Sequence, residues 1–280
     1  MRVRNEDKSK QRDVITHSFI LPNGINKIER VTHPNGDEVI FLKKWNRSCI
    51  SKQPNRRHAP PRAKRDPNAR MSVSNHNRLR GRKSEELLKI PFQLGCCVFG
   101  TFTTRLDKPN DYPRLLHRLK RTINKVKDKV GKEYVGRVWS FELTEKGRIH
   151  IHAVLVFKSE SAKVSQQELE RFWSYGGVVA VDVYDIYGLA DYITNLKYGV
   201  ADPNNPTQTI FKAGSRPIDI WVDLPKAKSE TIYAEDKELY DFYDDDDTVV
   251  FLKRHNFNPE NSTIDRLVFV KKSKKGGVSN

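Results

Sequence analysis

Two histidines stand two residues apart in segment 147–157, GRIHIHAVLVF, which is rich in apolar and β-branched residues. This composition predicts a β-strand, and because successive strand side chains point to opposite faces, His150 and His152 share one face. Segment 138–143 is also typical of a strand, and residues 144–148 predict the turn between the two. Glu142, near the end of the first strand, is therefore the natural third member of the group.

Two imidazoles and a carboxylate together form a ligand set for a divalent transition metal ion. An ion held in this way would polarise a phosphate group and offset negative charge on it. The alternative interpretation is a pair of solvated histidines on the open face of an antiparallel sheet, which requires no metal ion. The pattern of elements farther along the chain favours the metal site.

The segments around the histidine pair predict alternating strands and helices. Ser165 is expected to cap a helix that carries Glu168 at its third position, and Gly199 is expected to end another. The predicted elements are a strand at 94–104, a basic helix at 112–130, strands at 138–143 and 147–157, a helix at 165–174, a strand at 178–183 and a helix at 188–199.

Three ordered motifs in this region resemble those of the HUH endonucleases, specifically the rolling-circle replication initiators of plasmids and small phages. They are TFTT at 101–104, then Glu142 with GRIHIH at 147–152, then Tyr192 at the start of YITNLKY. The resemblance covers about residues 94 to 197. It implies an α+β fold with a ferredoxin-like or RRM-like antiparallel sheet, the metal-binding histidines on a central strand and the tyrosine on a helix beside it.

The resemblance also implies that Tyr192 is the nucleophile, assigned by its position in the motif. Many relatives have Tyr-x-x-Lys, whereas here Asn195 occupies the lysine position and Lys197 follows two residues later. Lys197 is predicted to supply positive charge near the tyrosine or the phosphate, and a single-tyrosine enzyme is expected. Tyr187 and Tyr198 remain alternative nucleophiles.

The implied activity is that of a metal-dependent, site-specific single-strand DNA endonuclease and strand transferase. With Mg²⁺ or Mn²⁺ bound, the enzyme would nick an origin, hold the 5′-phosphate on tyrosine, and rejoin the strand by the reverse reaction without ATP. A transposase or relaxase would use the same site. The rival from another class is a non-enzymatic nucleic-acid-binding protein with an RRM-like sheet, although such a sheet needs no histidine pair beside a carboxylate.

The formal net charge of +16 predicts binding to a polyanion such as DNA. Residues 1–90 hold 22 Lys and Arg against 9 Asp and Glu, and the Arg- and Pro-rich stretch 52–83 is interpreted as an irregular basic arm on the DNA backbone, or else as a solvated linker. The predicted DNA-binding residues are Arg56, Arg57, Arg62, Lys64, Arg65, Arg80, Arg82, Lys83 and Arg148.

Three regions are expected along the 280 residues: a basic N-terminal region at 1–90 containing a possible hairpin, a catalytic domain at 91–225, and an acidic extension at 226–280. Segment 230–247 carries nine Asp and Glu and is interpreted as a solvated acidic loop. There is neither a membrane-length apolar run nor a phosphate-binding loop for ATP, so a cytoplasmic, DNA-associated protein without a nucleotide cofactor is expected. It would depend on a separate host helicase and polymerase.

Overall fold

The computed structural model describes residues 24–34, 36–46, 69–92, 94–183, 185–194, 199–225, 227–234, 249–256 and 265–271. The chain divides into two compact units, one built from residues 1–61 and 228–280 and the other from residues 62–227. The sequence had placed its boundaries elsewhere, at 90 and 225. The difference arises because N-terminal and C-terminal strands pair in one sheet, a contact between segments far apart in the chain.

The first unit contains a five-stranded sheet in the order β11-β1-β2-β13-β12, in which neighbouring strands are antiparallel. The predicted strands at 38–45, 249–253 and 266–271 are confirmed, while the strand predicted at 15–21 lies outside the described residues. Part of the acidic segment, predicted as a loop, is instead a strand. The bounds are β1 Gly24–Thr32, β2 Glu38–Asn46, β11 Lys228–Ala234, β12 Val249–Asn256 and β13 Asp265–Lys271.

The second unit is built on another five-stranded antiparallel sheet, in the order β10-β5-β6-β4-β7. Four of its strands and two helices follow one another as strand, helix, strand, strand, helix, strand, which is the ferredoxin-like arrangement. The predicted α+β fold is therefore confirmed. The bounds are β4 Cys97–Phe102, α2 Tyr112–Val130, β5 Tyr134–Leu143, β6 Ile149–Phe157, α3 Gln166–Phe172, β7 Val178–Asp182 and β10 Ile218–Val222.

The remaining elements of this unit are two further helices and a small sheet. Helix α1 packs against α4 and β10. The small sheet has the strand order β3-β9-β8. The bounds are α1 Val73–Leu88, α4 Ile186–Thr194, β3 Arg70–Ser72, β8 Ala201–Asp202 and β9 Asn205–Lys212.

One face of the β10-β5-β6-β4-β7 sheet packs against α2 and forms the core. Helix α2 contributes fully buried leucines at regular helical spacing, and β5 and β6 contribute every second side chain. Asp111 caps α2 by accepting a hydrogen bond from the backbone N–H of Arg114, and Gly131 ends it with a positive φ of 59°. The opposite face of the same strands carries both histidines.

Candidate active site

Strand register brings the three predicted metal ligands together. In the antiparallel β5–β6 pair, Glu142 lies directly opposite His150 and Ser140 lies opposite His152. Directly opposed residues of an antiparallel pair present their side chains on the same face. The predicted grouping of Glu142, His150 and His152 is therefore present, at the end of the sheet where the β5–β6 turn lies.

The three side chains converge on one small volume. Glu142 Oε2 lies 3.2 Å from His150 Nε2 and 2.9 Å from His152 Nε2, and the two Nε2 atoms are 3.2 Å apart. His152 is 1% exposed and Glu142 is 4% exposed, so water competes little for these atoms. Among the described residues, this is the group of His, Cys, Asp and Glu side chains that can hold a metal ion.

A residue of β4 orients one of the imidazoles. Thr101 lies opposite His152 in the β4–β6 pair, and its Oγ1 is 3.2 Å from His152 Nδ1. In the tautomer that leaves Nε2 free for a metal ion, Nδ1–H donates to this hydroxyl. The ring of Phe99 stacks on the same imidazole, with 5.7 Å between ring centroids and 7° between planes. The sequence placed Thr101 in a motif but could not reveal this contact, which depends on the β4–β6 register.

Tyr192 lies on α4, beside the imidazole pair. Its ring centroid is 5.1 Å from that of His152 and 5.5 Å from that of Phe99, and both contacts are edge-on. The residue is 51% exposed, so its phenol is accessible from solvent. Partial burial, followed by the negative charge of Glu142, raises the pKa of Tyr192. A positive charge near Glu142 would offset the second of these causes.

The alternative tyrosines are not placed in the same way. Tyr187 is half-buried at the start of the same helix, where its backbone N–H donates to Asp185. Tyr198 and the predicted catalytic residue Lys197 lie outside the described residues. The described residues thus bring Tyr192 to the ligand cluster and leave the role of Lys197 a prediction.

Arg148, predicted to bind DNA, directs its guanidinium towards the loop that follows β4. It donates to the backbone carbonyl oxygens of Arg105 at 2.6 Å and Lys108 at 2.8 Å, and to the hydroxyl of Thr104 at 3.3 Å. Asn110 joins the same loop to the β5–β6 turn through Gly147 O, at 3.0 Å. This geometry favours a role for Arg148 in holding the loop beside the ligand cluster.

The predicted basic arm is partly corrected by the structure. Residues 73–88 form the helix α1, capped by Ser72, so the prediction of an irregular segment is wrong there. Arg80 donates to Asn77, Arg82 is exposed, and Lys83 forms an ion pair with Glu86 at 2.6 Å. None of these contacts involves the ligand cluster. Five further predicted DNA-binding residues lie outside the described residues: Arg56, Arg57, Arg62, Lys64 and Arg65.

The strand and helix that carry the three ligands and Tyr192 all lie within one stretch of the sequence. Residues 97–198 match the family model described as Replication-associated protein ORF2. The match covers about a third of the chain and includes all four of these side chains. It confirms the resemblance of this segment to rolling-circle replication initiators, and it supports a replication initiator in general terms.

No curated protein and no solved structure matches the chain. Within the described part of the chain, the helices are too short or too polar to cross a membrane.

Proposed function

We propose that the protein nicks and rejoins one DNA strand at a replication origin, with Tyr192 as the nucleophile. The observation that carries this proposal is the position of the Tyr192 ring, 5.1 Å from the His152 ring and open to solvent above a three-ligand cluster. The family match over residues 97–198 supports replication of a plasmid, virus or mobile element as the purpose, ahead of transposition or conjugation.

In the proposed reaction the Tyr192 oxygen attacks a backbone phosphorus atom. A bond forms between the tyrosine oxygen and phosphorus, and the bond from phosphorus to the 3′ oxygen breaks. The phenol loses its proton, and the departing 3′ oxygen gains one. The products are a 5′-phosphotyrosine and a free 3′-OH for a polymerase, and the reverse reaction rejoins the strand without ATP because the ester bond is conserved.

Glu142, His150 and His152 are the residues that would hold a divalent cation. When bound, the cation supplies positive charge to the nonbridging phosphate oxygens. The three ligand atoms are separated by 2.9 to 3.2 Å. Ligands at about 2.1 Å from one ion are about 3.0 Å apart at the right angles of octahedral coordination and about 3.4 Å apart in a tetrahedron. These separations favour the octahedral ions Mg²⁺ and Mn²⁺.

Other side chains position the reacting groups. Thr101 and Phe99 fix the plane of the His152 ring, and the burial of Glu142 limits access of water. Lys197 is proposed to add positive charge near the phosphate. The phenol that stands at the histidine pair argues against the rival interpretation, a binding module whose sheet aromatics stack on bases, because base stacking requires neither the ligands nor a nucleophile.

Covalent trapping tests this function. The full chain is incubated with end-labelled single-stranded oligonucleotides and Mn²⁺, and SDS-resistant adducts are separated on denaturing gels. We expect an adduct that EDTA prevents and that Tyr192→Phe abolishes, while Tyr187→Phe, a matched change on the same helix, retains it. An adduct that persists in Tyr192→Phe would reject the assignment, and no adduct across a library of origin-like hairpins would favour the binding module. Dependence of replication on a host helicase is part of the same proposal.

A further inference from the structure

Helix α2 carries an excess of positive charge that the proposed nicking reaction does not use. It holds seven Lys and Arg residues and one acidic residue, Asp128. Four of its cations, spaced four, three and four residues apart, lie on one stripe because a helix turns once every 3.6 residues. We call these four the α2 cationic row: Arg114, Arg118, Arg121 and Lys125.

The cationic row is available to a ligand. Arg121 and Lys125 are exposed, and Arg118 is half-buried with its guanidinium 5.0 Å above the ring of Tyr175. Arg114 forms a solvent-exposed pair with Asp111 at 3.5 Å. No carboxylate of the described residues pairs with the other three cations. An exposed helix usually intersperses both signs of charge, so this stripe leaves its positive charge uncompensated.

The position of the row relates it to the candidate active site. The apolar residues of α2 pack on the sheet face opposite His150 and His152, so the row lies across the sheet from the ligand cluster. The two are nevertheless joined at one end. Asn110, next to the α2 cap, hydrogen-bonds to Gly147 O at 3.0 Å and accepts from Ile149 N–H at 2.6 Å. Helix α2 therefore begins at the turn that leads into the histidine strand.

We propose that the row binds the phosphate backbone of duplex DNA beside the nick site. It spans eleven residues, about 16 Å of helix, which is close to five phosphate steps of about 3.4 Å along one strand. A single strand in the active site that continued around the β5–β6 turn would reach Arg114 first. This proposal rests on the proposed nicking function for its biological purpose, but the binding itself requires neither the metal ligands nor Tyr192.

A membrane surface fits the row less well. Peripheral membrane helices insert an apolar face beside their cations, whereas the apolar residues of α2, such as Leu115 and Leu119, are fully buried in the core. Direct reading of bases in a groove is also not expected, because phosphate contacts position DNA without specifying its sequence. The row should bind duplexes of different sequence with similar affinity.

The test measures binding of a fluorescent 20-base-pair duplex of arbitrary sequence by anisotropy over a range of salt concentrations. The row variant is R118Q/R121Q/K125Q. Glutamine has nearly the helix propensity of lysine and arginine, so α2 should persist. The matched control, K132Q/K158Q/K212Q, removes three exposed cations from elsewhere in the same unit. Circular dichroism and thermal unfolding establish that each variant is folded.

We expect the row variant to lower the slope of log affinity against log salt by about 3, because each phosphate contact contributes about 0.9. The control should change the slope by less than one contact, and the charge-conserving R118K/R121K should bind within about threefold of wild type. Equal losses in the row variant and the control would show that net charge alone attracts DNA and would overturn the proposal, as would an unchanged slope in the row variant.

The same samples separate this proposal from the nicking function. The row variant should still form the covalent adduct with a short single-stranded oligonucleotide, while Tyr192→Phe should bind the duplex like wild type. If Tyr192→Phe forms the adduct and the row variant loses duplex binding, the nucleophile assignment fails and the duplex site stands. Loss of both activities in the folded row variant would contradict a separate duplex site.

Discussion

Removal of the Thr101 hydroxyl should weaken metal binding without unfolding the protein. Thr101→Val keeps the β-branched shape of the side chain and deletes the hydrogen bond between Oγ1 and His152 Nδ1, 3.2 Å long. Partners that orient a metal-binding histidine are typically worth 10- to 100-fold in metal affinity. That range corresponds to about 1.4 to 2.7 kcal/mol of binding free energy. The phenyl ring of Phe99 still stacks on the imidazole, so a loss near 10-fold is expected.

Isothermal titration of the intact chain with Mn²⁺ measures this loss directly, and thermal unfolding in EDTA measures stability separately. The matched control is Thr103→Val, which removes a hydroxyl bonded to the backbone of Gly177, outside the ligand cluster. The control should bind Mn²⁺ like wild type, although either variant can lose about 1 kcal/mol of folding free energy with its hydrogen bond. Wild-type Mn²⁺ affinity in Thr101→Val would refute the role assigned to Thr101. Equal weakening in both variants would point to a general loosening of β4.

Three further outcomes are expected from buried or tightly packed residues. Burial lowers the pKa of His76 from 6.5 to about 4, so as pH falls through this range the unfolded chain binds the proton first and the free energy of unfolding drops by up to about 3 kcal/mol; denaturant titrations should show this drop largely absent in His76→Phe. Gly176→Ala places a Cβ against the carbonyl oxygen of Thr103 and should cost about 1 to 3 kcal/mol, measured by urea unfolding, with Gly95→Ala nearly neutral. Arg148→Met removes the clamp on the loop after β4, and faster hydrogen exchange there, compared with unchanged exchange in α2, would verify it.

The sequence predicted those elements whose pattern is locally complete. Helix α2 was predicted at 112–130 and has these bounds, because its apolar residues recur at helical spacing and Asp111 supplies a cap. The Ser165–Glu168 capping box likewise marked the start of α3. The ligand cluster was predictable for the same reason, since alternation along a strand places two histidines on one face and a short turn brings the preceding strand alongside.

Features that depend on distant contacts were missed. Helix α1 was predicted as irregular because its buried positions include His76, Gly81 and Ser84 in place of large apolar residues, which removes the helical pattern of hydrophobicity. Strand β11 lies in an acidic segment and is recognisable only by its pairing with β1. The Thr101–His152 contact depends on the β4–β6 register, which no local pattern specifies.

Mapping the covalent linkage by mass spectrometry tests the account most directly. The complex trapped with a single-stranded origin-like oligonucleotide and Mn²⁺ is digested with protease and nuclease, and the modified peptide is sequenced. The account predicts a nucleotide joined through its 5′-phosphate to Tyr192. Attachment at Tyr187 or another residue, or cleavage that releases a free 5′-phosphate with no modified peptide, would contradict it.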